Sequence, residues 1–160
     1  MVLFNGDPRA LATGLLGEGT KTAVHQQHIE PRSLSAFVHA FAATPSGVDL
    51  AHHTVFFGHD PKAEFKALAK GEMPIDATLY LCAQDHGQVA ADTLQRFEII
   101  MNGAPVLRDP EKEKAPCQTQ IFKRFRDFGL SFSPTPGQDA LTTPQGFDAL
   151  FPASQGSLYG

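Results

Sequence analysis

The segment SLSAFVHAFAA (33–43) decides how this chain is read. Read as a strand, it places Leu34, Ala36, Val38, Ala40 and Ala42 on one face. Ser35, Phe37, His39 and Phe41 fall on the other. The first face is small and apolar, which suits a surface beneath packed helices. The second is aromatic and mixed. The alanines also permit a helix, so the neighbouring segments must decide.

Working outward, Thr44-Pro45-Ser46-Gly47 reads as a turn and Thr54–Phe57 as a strand. Asp60-Pro61 is a cap followed by a first-turn proline. It opens a helix through Lys70, with Phe65, Leu68 and Ala69 predicted inward and Gly71 as the stop. Thr78–Cys82 is an apolar strand, 84–94 a polar loop, and Arg96–Met101 an alternating strand ended by Asn102-Gly103. A helix covers Pro116–Phe128, or starts earlier at Asp109 with Pro116 as a kink. Cys117, Ile121, Phe125 and Phe128 share its apolar side. Beyond Ser133 the chain is rich in Pro, Gly, Thr and Ser, with one helical turn expected at Thr143–Phe147.

Toward the N-terminus, Val2-Leu3-Phe4 is predicted to be a short strand and Asn5-Gly6 a turn. Asp7 caps a helix with Pro8 at its first position and Leu11, Leu15 and Leu16 as its stripe. Residues 18–32 read as a polar connection. The order is β-α-β-β-α-β-β-α-tail. Short links between strands favour antiparallel neighbours. The expected fold class is α+β, a mixed or antiparallel sheet covered by helices on one face.

Composition narrows the function. The 160 residues suit one domain, and 42% hydrophobic content can fill a core. A net charge of −4 gives no general attraction to nucleic acid. No apolar run reaches the length of a membrane span, and the start lacks the apolar stretch of a secretory signal. Two cysteines make neither a disulfide framework nor a four-cysteine zinc site, so the default compartment is reducing and cytoplasmic. Thirteen Phe with no Trp point to an aromatic core or cavity with few polar handles.

Candidate chemistry is sparse. His52, His53, His59 and Asp60 are close in sequence, as are His25 and His28. Adjacent His52 and His53 on a strand would point to opposite faces, so no metal site is expected. Cys82 lies within an apolar strand and reads as a structural thiol. No nucleophile elbow, dinucleotide fingerprint or phosphate loop is present. The basic residues Lys112, Lys114, Lys123, Arg124 and Arg126 form a solvated helix face before they form a membrane-binding one. The Phe37, His39 and Phe41 stripe reads as plain core or as the wall of an apolar ligand site.

Four blocks carry a family resemblance: LFNGDPRALATGLLG (3–17), EPRSLSAFVHAFAATPSGVDLAHHTVFFG (30–58), QRFEIIMNGAPV (95–106) and LTTPQGFDALFPASQGSLYG (141–160). In this order they resemble FAD-dependent carotenoid desaturases of the phytoene dehydrogenase-like flavin amine oxidoreductase superfamily. Within it they are similar to the branch acting on hydroxylated carotenoids, the hydroxyneurosporene dehydrogenases. The resemblance implies an oxidoreductase that removes hydride from a long polyene, with FAD as acceptor. It implies that 1–17 ends a strand of the FAD domain and adds a helix, that 18–132 is the α+β substrate-binding domain, and that 133–160 returns toward the FAD domain. It places Asn5, Gly6, Gly156 and Tyr159 beside the cofactor and Phe37, His39 and Phe41 on the substrate cavity. It assigns no catalytic residue.

The family's dinucleotide fingerprint and glycine-rich C-terminal motif are absent, so the chain reads as an internal piece of a longer parent. FAD is expected in that parent and not in the piece alone, which is expected to be inactive. The implied partners are a carotenoid, a membrane surface met peripherally by the parent, and other copies of the exposed piece. A stand-alone module binding an apolar ligand is the alternative. A small His-dependent metallohydrolase ranks last.

Overall fold

The computed structural model describes residues 3–90 and 92–159. Asp7 caps α1 (Pro8–Ala12) by accepting the Arg9 backbone N–H at 2.9 Å, but the helix stops short of Leu15 and Leu16. Leu3 and Phe4 form no strand, and Val2 lies outside the described residues. The rest of the polar connection holds short 3-10 turns at Glu18–Thr20 and Gln26–His28.

The long segment is a strand, β1 (Ser35–Ser46), which runs through the expected turn at Thr44-Pro45-Ser46. It extends because Thr44–Ser46 find a partner that no sequence pattern announces. After β2 (His53–Phe56), Asp60 caps α2 (Pro61–Ala69), accepting from the Lys62 and Ala63 N–H groups. Then come β3 (Leu79–Ala83) and β4 (Gln95–Gly103). The helix α3 (Pro110–Asp127) starts at the Asp109 cap and carries Pro116 inside it. Two short strands follow, β5 (Ser131–Ser133) and β6 (Leu141–Thr142), then α4 (Pro144–Leu150) capped by Thr143.

The sheet order is β2-β3-β4-β1-β5, with β6 also on β1, and every pairing is antiparallel. The molecule is therefore α+β with an antiparallel sheet. The strand β1 is its spine. It pairs with β4 from Ser35↔Gly103 to Ala43↔Gln95, and its other edge is shared by β6 and β5. Gly47 follows β1 at φ +104°, and a Cβ there would stand 1.9 Å from the carbonyl oxygen of Gly129. Only glycine fits this approach.

Register determines which residues share a side. Phe37, His39, Phe41 and Ala43 lie opposite Met101, Ile99, Phe97 and Gln95, and beyond them Leu79, Leu81 and Ala83 continue the same face. This face is the core. Cys117, Ile121, Phe122 and Phe125 of α3 close over it. Phe125 sits 5.1 Å from Phe56 and 5.8 Å from Phe132, and Phe41 sits 5.2 Å from Phe132, ring centre to ring centre. The sequence reading had helices over the alanine face. The structure puts α3 on the aromatic face and leaves Ala40 and Ala42 exposed. The aromatic rings remove far more apolar area from water than alanines can.

The inward side of α2 also differs from the sequence reading. Phe65 and Ala69 are exposed, and Glu64 and Leu68 are buried. Glu64 Oε2 accepts the Thr78 N–H at 3.2 Å and the Thr78 hydroxyl at 2.8 Å, so the helix is anchored by a buried carboxylate.

Two substitutions test the face assignment. Phe125→Ala should cost about 3–5 kcal/mol through the lost ring and the cavity it leaves. Ala40→Phe, on the free face, should stay within about 0.5 kcal/mol. Urea unfolding measures both, and the reverse ranking would turn the sheet over.

Candidate functional site

Three regions gather the residues with chemistry. The first is the core face itself. Phe37 and His39 are fully buried and Phe41 is half-buried, all in the layer beneath α3. His39 stands edge-on to Phe41 and Phe122, each 5.4 Å away between ring centres. Neither of its ring nitrogens has a hydrogen-bond partner. Burial lowers its pKa to about 4, against a weaker upward pull from Asp139. The imidazole is thus held neutral and behaves as an aromatic core residue. In this chain the three residues are packing, not an open wall.

The second region is the opposite face of the sheet. Val38, Ala40 and Ala42 lie across from Ile100, Glu98 and Arg96, and Tyr80 and Cys82 continue the rows onto β3. Among the described residues the buried core cluster does not extend to this side, although Ala36 at one end of it is buried. At its end, Asp85 accepts the Arg96 backbone N–H at 2.8 Å and the Arg96 guanidinium at 2.5 Å. These bonds draw the Asp85 pKa down to about 2. His52 precedes β2 instead of belonging to it, so the strand alternation that would separate it from His53 does not operate. The two rings meet at 4.3 Å between centres.

The third region is a cleft of about 540 Å³ where the first and last described segments meet. Asn5, Gly6 and Tyr159 line it together, with Asp7 and Leu158. Gly156 is buried behind this lining at φ +77°, where a Cβ would stand 2.6 Å from the Pro144 carbonyl oxygen. The residue that joins the two segments is Arg32. Its Nη2 donates to Asp7 Oδ2 at 2.5 Å and to the Ser154 carbonyl at 2.7 Å. Both charged side chains are 7% exposed. Ser33 adds a hydroxyl contact to Ser157 at 2.5 Å and accepts the Tyr159 N–H at 2.9 Å. Nothing in the polar 18–32 stretch marks Arg32 out, because its partners lie far away in sequence.

The geometry defines a class: a helix-backed antiparallel sheet with one face free, and a polar cleft at the meeting of both end segments. No family model matches the chain. Curated relatives do. The chain is 53% identical over 160 residues to a hydroxyneurosporene desaturase of Cereibacter sphaeroides, covering 99% of this chain and 32% of that protein. It is 48% identical to the hydroxyneurosporene desaturase of Rhodobacter capsulatus, again over 99% of the chain and 32% of the relative. A third, from Rubrivivax gelatinosus, is 37% identical over 99% of the chain and 31% of its own length. The chain is a relative of carotenoid desaturases, as the sequence blocks indicated, and spans about a third of their length.

Two measurements probe these sites. Below pH 6.5 an unfolded His39 takes up a proton, whereas the folded one does so only near pH 4. Stability from this group is therefore complete above pH 6.5 and lost as pH falls to about 4, by roughly 3 kcal/mol. His39→Phe should remove that share of the slope in urea titrations. Arg32→Leu should strip hydrogen-exchange protection from residues 154–159 and cost up to about 3–5 kcal/mol, because it leaves the Asp7 charge buried and unpaired.

Proposed function

We propose that this chain is the substrate-side part of an FAD-dependent carotenoid desaturase, an oxidoreductase removing hydrogen from a long polyene. The observation that carries this reading is the 53% identity to a hydroxyneurosporene desaturase along nearly the whole chain. The free sheet face supports it. Val38, Ala40, Ala42 and Ile100 offer an apolar surface, and the two alanines leave room for a chain of conjugated carbons to lie flat. On this reading 1–17 joins the cofactor domain, 18–132 binds substrate, and 133–160 leads back. Phe37, His39 and Phe41 back the substrate wall from beneath and fix its position.

FAD belongs to the parent enzyme, where it supplies hydride acceptance. The described residues here do not build its pyrophosphate site. The Asp7 carboxylate is committed to Arg32 and to the Arg9 N–H, Pro8 has no N–H to donate, and α1 is five residues long. Asn5, Gly6, Gly156 and Tyr159 are thus proposed as neighbours of the flavin-binding part, not as its cradle. The parent is proposed to be cytoplasmic and to meet a membrane surface peripherally to collect its apolar substrate. Exposed Leu150 supports that contact, and among the described residues no helix is long and apolar enough to cross a membrane. The isolated chain is proposed to self-associate through its free face.

The test has two arms. Residues 1–160 titrated with FAD should retain no flavin by calorimetry and absorbance; tight stoichiometric binding would overturn the domain assignment. In the full-length parent, Ala40→Phe should slow turnover of a hydroxylated carotenoid by about tenfold or more through displaced substrate, without lowering the melting temperature. Unchanged turnover would remove this face from the substrate wall. A parent reading frame that codes for no flavin-binding half, together with carotenoid retention by 1–160, would favour the stand-alone binding module.

A further inference from the structure

On the free face, at the β2–β3 edge, three side chains of metal-ligand type converge. One ligand atom each of His52, His53 and Cys82 lies within 4.8 Å of the other two. The register explains how. His53 is directly opposite Cys82 in the antiparallel pair, so both point to the same side. His52 sits just before the strand, its carbonyl accepting the Ala83 N–H at 2.8 Å, and its ring folds back over the pair with Nε2 3.8 Å from Cys82 Sγ. Tyr80, two residues before Cys82 and on the same side, holds its hydroxyl 2.6 Å from His53 Nδ1. An Nδ1–H donating to Tyr80 leaves the lone pair of Nε2 free for a cation, the arrangement by which a neighbouring group selects a ligand tautomer.

We propose that His52, His53 and Cys82 bind a single zinc-type divalent cation through two imidazole nitrogens and one thiolate. Ligand atoms on a tetrahedral zinc stand ~3.5 Å apart, so the present cluster needs only side-chain rotation to close around the ion. The donor set of two nitrogens and one sulfur suits a borderline-soft metal and not calcium or magnesium. Binding releases the Cys82 proton to solvent as the metal–sulfur bond forms. Both imidazoles are exposed and reachable, and Cys82 is 4% exposed beneath them, so the ion would enter from the open side and be held from below. The fourth position is left to water. The effect on the fold would be to pin the loop before β2 to the neighbouring strand at the sheet's outer edge. This inference does not depend on the proposed desaturase role.

The experiment uses the tag-free, metal-stripped chain 1–160. Titration with Co²⁺, a spectroscopic stand-in for zinc, should give one equivalent of binding with a thiolate-to-metal charge-transfer band, and Zn²⁺ should displace it and raise the melting temperature. Cys82→Ser should abolish the band. Cys117→Ser should leave it intact, since Cys117 is buried on the core side of α3, on the opposite face of the sheet, with its thiol pushed up to about 12. His53→Ala, at an exposed position, should weaken binding about tenfold or more. Circular dichroism checks that each variant folds. A folded wild-type chain showing no charge-transfer band overturns the proposal. So does a band that survives Cys82→Ser, or an affinity indifferent to both His52→Ala and His53→Ala.

Discussion

The face of β1 that carries Phe37, His39, Phe41 and Ala43 is covered by α3, and this choice of side settles what every other residue of the sheet can do. Ring contacts among Phe41, Phe97, Phe122, Phe125 and Phe132, most of them edge-to-face and the Phe41–Phe97 pair tilted, fill the space between helix and sheet. Rings of this size are hard to repack, so the layer also fixes the helix position. His39 is accepted into it as a neutral ring. Because the aromatic side is used for folding, the opposite side is left with small or short residues and a few polar ones. That is the side to which the proposed substrate contact and metal site are assigned.

The strands could be read from the sequence because alternation and flanking turns are local signals. The caps at Asp7 and Asp60 were visible for the same reason. The side facing the core was not visible. A row of alanines beside a row of phenylalanines is compatible with helices on either, and the decision is made by a helix that lies more than sixty residues further along the chain. The ends of β1 were misread because Thr44-Pro45-Ser46 has turn composition. Its extension depends on β5, three residues with no pattern of their own. On α2, Phe65 had the hydrophobicity expected of an inward residue, but Glu64 took the inward place through its bonds to Thr78.

The candidate sites divide along the same line. The sequence blocks at 3–17 and 141–160 pointed to Asn5, Gly6 and Tyr159, and the structure brings these to one cleft. What holds the cleft together could not be read. Arg32 acts over a separation of 122 residues to Ser154, and a single arginine in a polar stretch carries no signal of that. The pairing of His52 with Cys82 was hidden by a rule applied one residue too early, since alternation holds only inside a strand.

The joining of both end segments at Arg32 has a topological consequence. Residues 7 and 154 are tied to one guanidinium, and the backbone of Leu158 donates to that of Leu34. The first and last described segments of the unit thus lie side by side, like a stem. A unit with such a stem can be carried in a surface loop of another fold, because the host's loop ends need to be held no further apart than a turn would hold them. The entropy of closing so long an excursion grows only logarithmically with its length. Architecture of this kind lets a binding surface be exchanged between host scaffolds while the host's own strand order is left undisturbed.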